Sequence, residues 1–202
     1  NGYIDGSYFV AEDLPLNTFY MREYAGVDSA TGKSLWYMDE TDENGNVTGR
    51  TTTDNYNSAT RYLQEDASPD LYGGFSTSVS FFGFDASIAF TYQLGGKVYD
   101  SGYASFMASP WGSSSVGGNY HKDILNSWTP ENANSNIPRL QYGDQYNSSS
   151  SSRFLTNASY LNIQNINVGY TLPNKITKSF GVESLRIYLA ADNVVYWSKR
   201  RG

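Results

Sequence analysis

The side chains that usually perform catalysis are scarce in this chain of 202 residues. Cysteine is absent, which excludes thiolate chemistry, and a histidine metal site or a Ser-His-Asp triad would have to be built on His121, the only histidine. A single histidine in a polar segment is usually just solvated. We therefore expect no catalytic residue, no metal and no cofactor, and we do not expect an enzyme.

Carboxylates gather in one polar stretch, "DETDENGNVTGRT", which covers residues 39–51. A glycosidase pair needs two carboxylates about 5–9 Å apart in a cleft, one of them desolvated, and this stretch has no apolar setting. Four residues have the spacing of the first half of a calcium loop: Glu40, Asp42, Asn44 and Gly45. Thr51 stands where such a loop needs a bidentate Glu. We interpret residues 40–51 as an Asp/Asn/Gly turn within a longer exposed loop, "DETDENGNVTGRTTTDNYNSATR", and leave calcium binding at Glu40–Thr51 open.

Aromatic rings in the long segment from Ser101 to Arg153 offer a different chemistry. Flat rings at a loop surface stack on sugar rings or anchor a protein partner. Alternatively, the same rings pack the segment against its own strands. We take five residues of this segment as candidate ligand or partner contacts: Trp111, Tyr120, Trp128, Tyr142 and Tyr146.

Composition and charge limit the classes of partner. Aromatic residues make up 16% of the chain and charged residues 17%, which is typical of an ordered domain. The formal net charge is -6, so we expect no nucleic-acid partner. No run approaches the ~20 apolar residues of a membrane helix, whereas a membrane-spanning β-strand needs only about 9–11 alternating residues.

The clearest structural element is a hairpin from Phe75 to Gly96, "FSTSVSFFGFDASIAFTYQLGG". Apolar residues alternate there with Ser and Thr, and the phase changes at Phe82-Gly83, which predicts a two-residue turn. Upstream, "NTFYMREYAG" and "SLWYM" are predicted as strands on either side of a turn at Gly32.

Two more strands are predicted near the end of the sequence, in "YLNIQNINVGYTL" and "SLRIYLAADNVVYW". A phase slip between Ile163 and Ile166 predicts a β-bulge in the first of them. Between the strands, Pro173 to Gly181 predicts a compact helical connector. In the long segment, "YHKDILNSW" predicts a short helix with Asn119 as its cap.

Each of these strands has one apolar face, which fits either a soluble β-sandwich or a membrane β-barrel. The polar faces carry Ser, Thr, Asn, Gln and Gly instead of Lys and Glu. Tight turns alternate with long loops, and Tyr and Trp gather near strand ends, as they do at a bilayer interface. The pattern alone leaves both architectures open.

Four passages, in this order, resemble the C-terminal part of SusC/RagA-type transporters, the TonB-dependent outer-membrane barrels of Bacteroidetes. They are "REYAGVDSATGKSLWY", "SPDLYGGFSTSVSFFGFDASIAFTYQLGGKVYD", "SWTPENANSNIPRL", and "SRFLTNASYLNIQNINVGYTLPNKI" followed by "LRIYLAADNV". The resemblance spans nearly the whole chain. It implies an all-β, antiparallel transmembrane β-barrel segment with long extracellular loops, about six strands of a barrel that the family closes with 22.

The resemblance further implies that residues 1–202 are a partial outer-membrane β-barrel domain. The family's signal peptide, N-terminal domain, TonB-contacting segment, plug and final strand are expected to lie outside this sequence. The apolar faces of the strands would then face lipid and the Asn, Gln and Gly faces a wet lumen. Seven residues are expected to face lipid: Val79, Phe81, Phe84, Ile88, Phe90, Ile166 and Val168.

The expected function follows from the same resemblance. It is TonB-dependent uptake of oligosaccharides or other large nutrients, such as peptides, across the outer membrane of a Gram-negative cell. The expected partners are a SusD-like surface lipoprotein, the TonB complex and outer-membrane lipid. The alternative that the residues leave open is a secreted, aromatic-rich carbohydrate-binding β-sandwich.

Overall fold

The computed structural model describes residues 2–108, 118–142 and 146–199. In these ranges the chain forms two short α-helices, α1 (Ser101–Phe106) and α2 (Asn174–Thr177), and antiparallel strands. The strands are β1 (Gly2–Asp5), β2 (Tyr8–Ala11), β3 (Thr18–Arg22), β4 (Tyr24–Val27), β5 (Ser34–Thr41), β6 (Val47–Thr53), β7 (Arg61–Asp66), β8 (Leu71–Phe81), β9 (Phe84–Leu94), β10 (Lys97–Tyr99), β11 (Leu155–Asn157), β12 (Tyr160–Thr171) and β13 (Arg186–Ser198). No helix within these ranges has the length and hydropathy to cross a membrane.

The chain divides into two compact units. Unit 1 comprises Asn1–Ala67 and Val98–Thr156, and unit 2 comprises Ser68–Lys97 and Asn157–Gly202. The all-β, antiparallel prediction is confirmed, although the described strands do not close a barrel. The number of strands in a complete barrel therefore stays a prediction.

Unit 2 is one four-stranded sheet in the order β13-β12-β9-β8. The predicted hairpin is confirmed, since Phe81 pairs with Phe84 across the turn. Phe82 and Gly83 have φ values of 47° and 86°, as in a type I′ turn, whose twist matches that of the flanking strands. Gly83 is also required sterically, because an added Cβ would lie 2.7 Å from the carbonyl oxygen of Thr171.

Replacing Phe82 with Asn should stabilise this hairpin. A positive φ costs an ordinary L-residue about 1–2 kcal/mol, and Asn tolerates it better. The ring gives up few contacts in exchange, because Phe82 is 96% exposed. In the full-length protein reconstituted in vesicles, we expect the free energy of unfolding, measured with urea, to rise by roughly 1 kcal/mol. Phe82→Val should lower it, and a decrease with Asn would contradict the strain argument.

The predicted bulge in β12 is also confirmed. Ile163 pairs with Phe90 whereas Asn165 pairs with Ala89, so the register shifts between Ile163 and Asn165. The extra residue restores the phase, and both halves of the strand present apolar side chains on the same face.

The connector between β12 and β13 is helical, as predicted. The helix α2 follows Pro173, and a 3-10 turn ends at Gly181, whose φ is 70°. Both short connections of unit 2, this one and the Phe82-Gly83 turn, therefore lie at the same end of the sheet.

One face of unit 2 is apolar across all four strands. Ile88 in β9 lies between Thr77 in β8 and Ile166 in β12. Side chains of this face are open to their surroundings, with Val79 55% and Phe81 57% exposed. The register places all seven residues that we expect to face lipid on this one face: Val79, Phe81, Phe84, Ile88, Phe90, Ile166 and Val168.

The opposite face carries an ion pair that reaches across three strands. Arg186 in β13 donates from Nε to Asp85 in β9 at 2.9 Å, and a second N–H of the guanidinium bonds to the same carboxylate. The guanidinium also donates to the side-chain oxygen of Asn167 in β12 at 3.2 Å. It passes over Gly169, where an added Cβ would lie 2.7 Å from Arg186 Cζ. The glycine thus leaves the space that the arginine occupies.

Unit 1 contains the sheets β1-β2-β3-β7 and β4-β5-β6. The upstream strands were predicted in part: the first predicted piece divides into β3 and β4, and the turn at Gly32 is present, with φ 73°. Trp36 and Phe19 are among the most deeply buried side chains, at 1% and 2% exposure. The predicted helix near residue 122 is a 3-10 helix, Lys122–Asn126, capped by His121 and not by Asn119.

The interpretation of residues 39–61 as an exposed loop is wrong where β5 and β6 run through it, whereas the predicted Asp/Asn/Gly turn is present between these strands at residues 42–46. Val47–Thr53 form β6, which pairs with β5, because β-branched Val and Thr favour strands even where both faces are polar. Asp42 stabilises the connecting turn, since its carboxylate accepts hydrogen bonds from the backbone N–H groups of Asn44 at 2.9 Å and Asn46 at 2.8 Å. The residues with the spacing of a calcium loop, Glu40–Thr51, therefore belong to the β5–β6 hairpin. Within the ranges that the structure describes, no group of three or more His or acidic side chains could hold a metal ion.

Candidate functional site

A cavity of about 470 Å³ opens in unit 1, between residues of β5, the segment after β6 and the segment that follows Pro138. We call it the aromatic cavity. Its lining combines four rings with carboxylate, amide, hydroxyl and guanidinium groups: Trp36, Tyr56, Tyr142, Tyr146, Asp54, Asn55, Asn57, Arg139, Gln141 and Ser149. Both the volume and the mixture of rings with a few polar groups are typical of ligand sites.

Trp36 is the fixed centre of the ring cluster. Tyr146 stacks against it with ring centroids 6.1 Å apart, and Tyr56 meets it edge-on at 5.2 Å. The indole N–H of Trp36 is buried and has no hydrogen-bond partner among the described residues. A buried donor without an acceptor costs about 1–3 kcal/mol.

Charged groups surround Tyr146 at the edge of the cavity. Lys33 Nζ and Arg139 Cζ each lie 5.7 Å from the centroid of its ring. Lys33 also forms an ion pair with Asp54, 2.7 Å from Nζ to the carboxylate. The hydrogen bond to Asp54 raises the pKa of the Lys33 ammonium. These two cations flank the ring of Tyr146.

Tyr142 provides the accessible stacking surface. It is 64% exposed, whereas the other three lining rings are buried or half-buried. An exposed ring beside amide and carboxylate groups suits a ligand with flat apolar patches and many hydroxyl or amide groups. Sugar chains and extended peptides both have this character.

The structure brings two of the five predicted aromatic residues into the cavity. They are Tyr142 and Tyr146. Tyr120 is exposed but does not line the cavity, and Trp111 lies outside the described residues. The role of each in ligand or partner binding stays a prediction.

Trp128 packs inside unit 1. Its indole N–H donates to the carbonyl oxygen of Ser29 at 3.0 Å, and its ring lies against Gly32, where an added Cβ would come within 2.6 Å of Cδ2. Next to it, the backbone N–H of Arg139 donates to the Gly32 carbonyl at 2.8 Å. Trp128 therefore fastens the long segment to the turn between β4 and β5, as the packing alternative describes.

Several cavity residues were missed from the sequence, namely Trp36, Asp54, Asn55, Tyr56 and Asn57. The last four follow β6 in "TTTDNYNS", within the stretch that was interpreted as an exposed loop. A Tyr enclosed by Asn residues was the one available signal, since this composition is common where rings and amides meet a ligand.

Comparison with known proteins gives a consistent result. No family model matches the chain. A curated protein of Formosa agariphila, TonB-dependent receptor P3, is 25% identical over 206 residues, which cover 95% of this chain and 18% of that protein. TonB-dependent receptor P26 of the same organism is 26% identical over 135 residues, 66% of this chain and 13% of that protein.

Solved structures of RagAB cover almost the entire chain. The RagAB peptide importer in its closed-closed state matches with a TM-score of 0.76 and 32% identity over 99% of this chain and 22% of that one. A RagAB peptide transporter structure matches with a TM-score of 0.77 and 31% identity, again over 22% of that chain. This sequence thus spans about a fifth of the length of the proteins it matches.

The similar proteins, the antiparallel sheets and the four ordered sequence passages agree on one assignment. Together they support the assignment of the chain to part of a SusC/RagA-family TonB-dependent transporter.

Proposed function

We propose that this chain is the part of an outer-membrane, TonB-dependent importer that supplies four membrane strands and an extracellular ligand-contacting region. The observation that supports this most is the sheet of unit 2. Its strands have 11, 11, 12 and 13 residues, enough for the about 9–11 residues that cross a bilayer. One face is apolar and open, and the other carries small polar residues and the Asp85–Arg186 pair.

A secreted β-sandwich is the alternative, and the same face argues against it. A sandwich buries the apolar face of each sheet under a second sheet about 10 Å away. The described part of unit 2 contains one sheet, and Phe75, Val79 and Phe81 on its apolar face are each more than half exposed. Lipid would cover this face without a second sheet.

Strand direction supports one assignment of the two ends of the sheet to the two sides of the membrane. The two short connections, at Phe82-Gly83 and at residues 172–185, lie at one end of the sheet, and outer-membrane barrels keep short turns on the periplasmic side. The strand β9 leads away from that side, so the segment from Ser101 to Arg153 starts outside the cell. The aromatic cavity contains residues of this segment, which supports an extracellular position for the cavity.

The ligand that we propose is a large polar nutrient, with oligosaccharides favoured by the exposed ring of Tyr142 and the amide-rich lining. Peptides are the second candidate, because the similar RagAB structures are those of a peptide importer. We also propose that a SusD-like surface lipoprotein covers the importer and that the TonB complex supplies its energy through another part of the protein.

Cysteine labelling tests the topology and the site together, because this chain has no cysteine of its own. In intact cells, a membrane-impermeant thiol reagent should label Tyr142→Cys and Asn134→Cys but not Asn174→Cys. Labelling at Asn174 alone would show that the topology is inverted. Equal labelling of all three positions on a protein that stays in solution without detergent would favour the secreted sandwich.

Ligand protection distinguishes the two nutrient classes. Oligosaccharides such as xylohexaose or maltohexaose, and separately a tryptic peptide digest, are added before the thiol reagent. The bound class should slow labelling of Tyr142→Cys and leave Asn134→Cys, which lies outside the cavity lining, unchanged. Protection of Tyr142→Cys by the peptides alone would identify the ligand as a peptide. If neither class of nutrient slows labelling of Tyr142→Cys, the cavity does not bind the transported nutrient.

A further inference from the structure

Two arginines of unit 1 face each other directly on neighbouring strands. Arg22 at the end of β3 is the cross-strand partner of Arg61 at the start of β7. Directly opposite residues of an antiparallel pair share one face of the sheet, and like charges in such positions are destabilising. This arrangement is unexpected in a chain whose formal net charge is -6.

The two arginines line a cavity of about 200 Å³, which we call the arginine pocket. Hydroxyl-bearing residues complete much of its wall, and no acidic residue is among the described residues that line it. The lining residues that matter here are Arg22, Arg61, Ser7, Tyr20, Tyr56 and Ser150.

Two other cations of unit 1 have carboxylate partners. Arg50 pairs with Glu23 at 3.1 Å, and Lys33 pairs with Asp54 at 2.7 Å. Arg22 and Arg61 form no ion pair with any described residue, and Nε of Arg22 is buried without a hydrogen-bond partner. A buried guanidinium N–H that lacks an acceptor is costly, and none of the described residues offsets that cost.

Packing against the ring of Tyr56 holds the guanidinium of Arg22 in position. Its Cζ lies 4.1 Å from the centroid of the Tyr56 ring, and the Tyr56 hydroxyl is held by a 2.7 Å hydrogen bond to the carbonyl oxygen of Ser150. A stacked guanidinium keeps its N–H groups in one plane and directs them at a planar or tetrahedral acceptor. The arginine is therefore preorganised rather than free to turn into solvent.

We propose that the arginine pocket binds an oxyanion, the carboxylate, sulfate or phosphate group of a small acidic ligand. One anion between Arg22 and Arg61 turns their repulsion into two charge-assisted interactions, which are the strong class of hydrogen bond. The pocket volume of about 200 Å³ exceeds the ~30 Å³ share of one water molecule several times, so such a group fits. The inference goes beyond nutrient import and holds whether or not the aromatic cavity binds the transported nutrient.

Anion binding is measurable on the full-length protein in detergent at constant ionic strength. Sodium sulfate, phosphate, acetate and glucuronate are titrated by calorimetry against sodium chloride, with glucose as the neutral counterpart of glucuronate. At least one oxyanion should bind in preference to chloride. Glucuronate binding without glucose binding would show that an organic ligand can bear the group, and sulfate or phosphate binding alone would assign the pocket to the inorganic ion.

Arg22→Gln and Arg61→Gln should each weaken oxyanion binding at least tenfold, the loss expected for one charge-assisted hydrogen bond. Arg50→Gln, which removes a cation outside the pocket, is the matched control and should leave binding unchanged. Without anions, Arg61→Gln should melt no earlier than the unmodified protein, because it removes a repulsion. The proposal is overturned if no oxyanion binds better than chloride, or if Arg50→Gln weakens binding as much as the two pocket variants.

Discussion

Replacing Ile88 with Arg should destabilise the membrane-inserted protein by about 2–4 kcal/mol, the cost of an arginine on the lipid face of a β-barrel near the bilayer midplane. Ile88 lies near the middle of β9 on the apolar face, with Thr77 and Ile166 as its cross-strand neighbours. A guanidinium there would have to be desolvated in hydrocarbon or to distort the sheet in reaching water. The free energy of unfolding in vesicles, measured with urea, gives the magnitude.

Ser87→Arg is the matched control for this experiment. Ser87 is the adjacent residue and faces the other way, paired with Ser78 and Asn167 on the polar face. If that face lines a wet lumen, an added arginine there should cost much less than one at Ile88. A larger cost at Ser87 would mean that the polar face is the one in contact with lipid.

Replacing Gly32 with Ala should detach part of the long segment from the rest of unit 1. Gly32 has a φ of 73°, and its added Cβ would lie within 2.6 Å of Trp128 Cδ2 and 2.9 Å of Arg139 Cβ. Backbone strain and the displacement of the Trp128 indole together should lower the free energy of unfolding by about 2–4 kcal/mol. We expect faster cleavage by added protease within residues 126–139 and a lower melting temperature of unit 1.

Gly45→Ala separates the two contributions to that cost. Gly45 has a φ of 84°, so alanine is strained there as well, but nothing lies within 4 Å of the added Cβ. Gly45→Ala should therefore lower the free energy of unfolding only by the penalty for a left-handed backbone, about 1–2 kcal/mol. Equal effects at Gly32 and Gly45 would show that Trp128 adjusts freely and does not fasten the segment.

The elements that were predicted correctly are those whose pattern is local. The hairpin follows from period-two alternation and Gly83, and the bulge follows from the phase slip after Ile163. The strand β6 was missed because its Thr-rich sequence has no apolar face to reveal a period. Short strands such as β1, β2 and β7 were missed because four to six residues give too little alternation to recognise.

The candidate site depended on contacts that no local pattern contains. Ser34 donates from its hydroxyl to the carbonyl oxygen of Tyr146, 112 positions away, and this contact joins the two sides of the aromatic cavity. Tyr142 and Tyr146 could be proposed from the sequence because aromatic residues in a long loop often indicate a binding surface. Trp36 could not, since a tryptophan in a predicted strand is ordinarily a core residue.

The adjacency of β9 and β12 in the sheet has a consequence for how such a protein could acquire new ligands. The chain leaves the sheet after Leu94 and returns at Tyr160, and these strands are hydrogen-bonded neighbours, about 4.8 Å apart. An insert whose two ends meet at one strand spacing can be lengthened, shortened or exchanged without altering the register of any strand. The segment between them can therefore be exchanged as one insert, and if unit 2 crosses the membrane as we propose, related proteins can keep these four strands and differ in the ligand that the insert contacts.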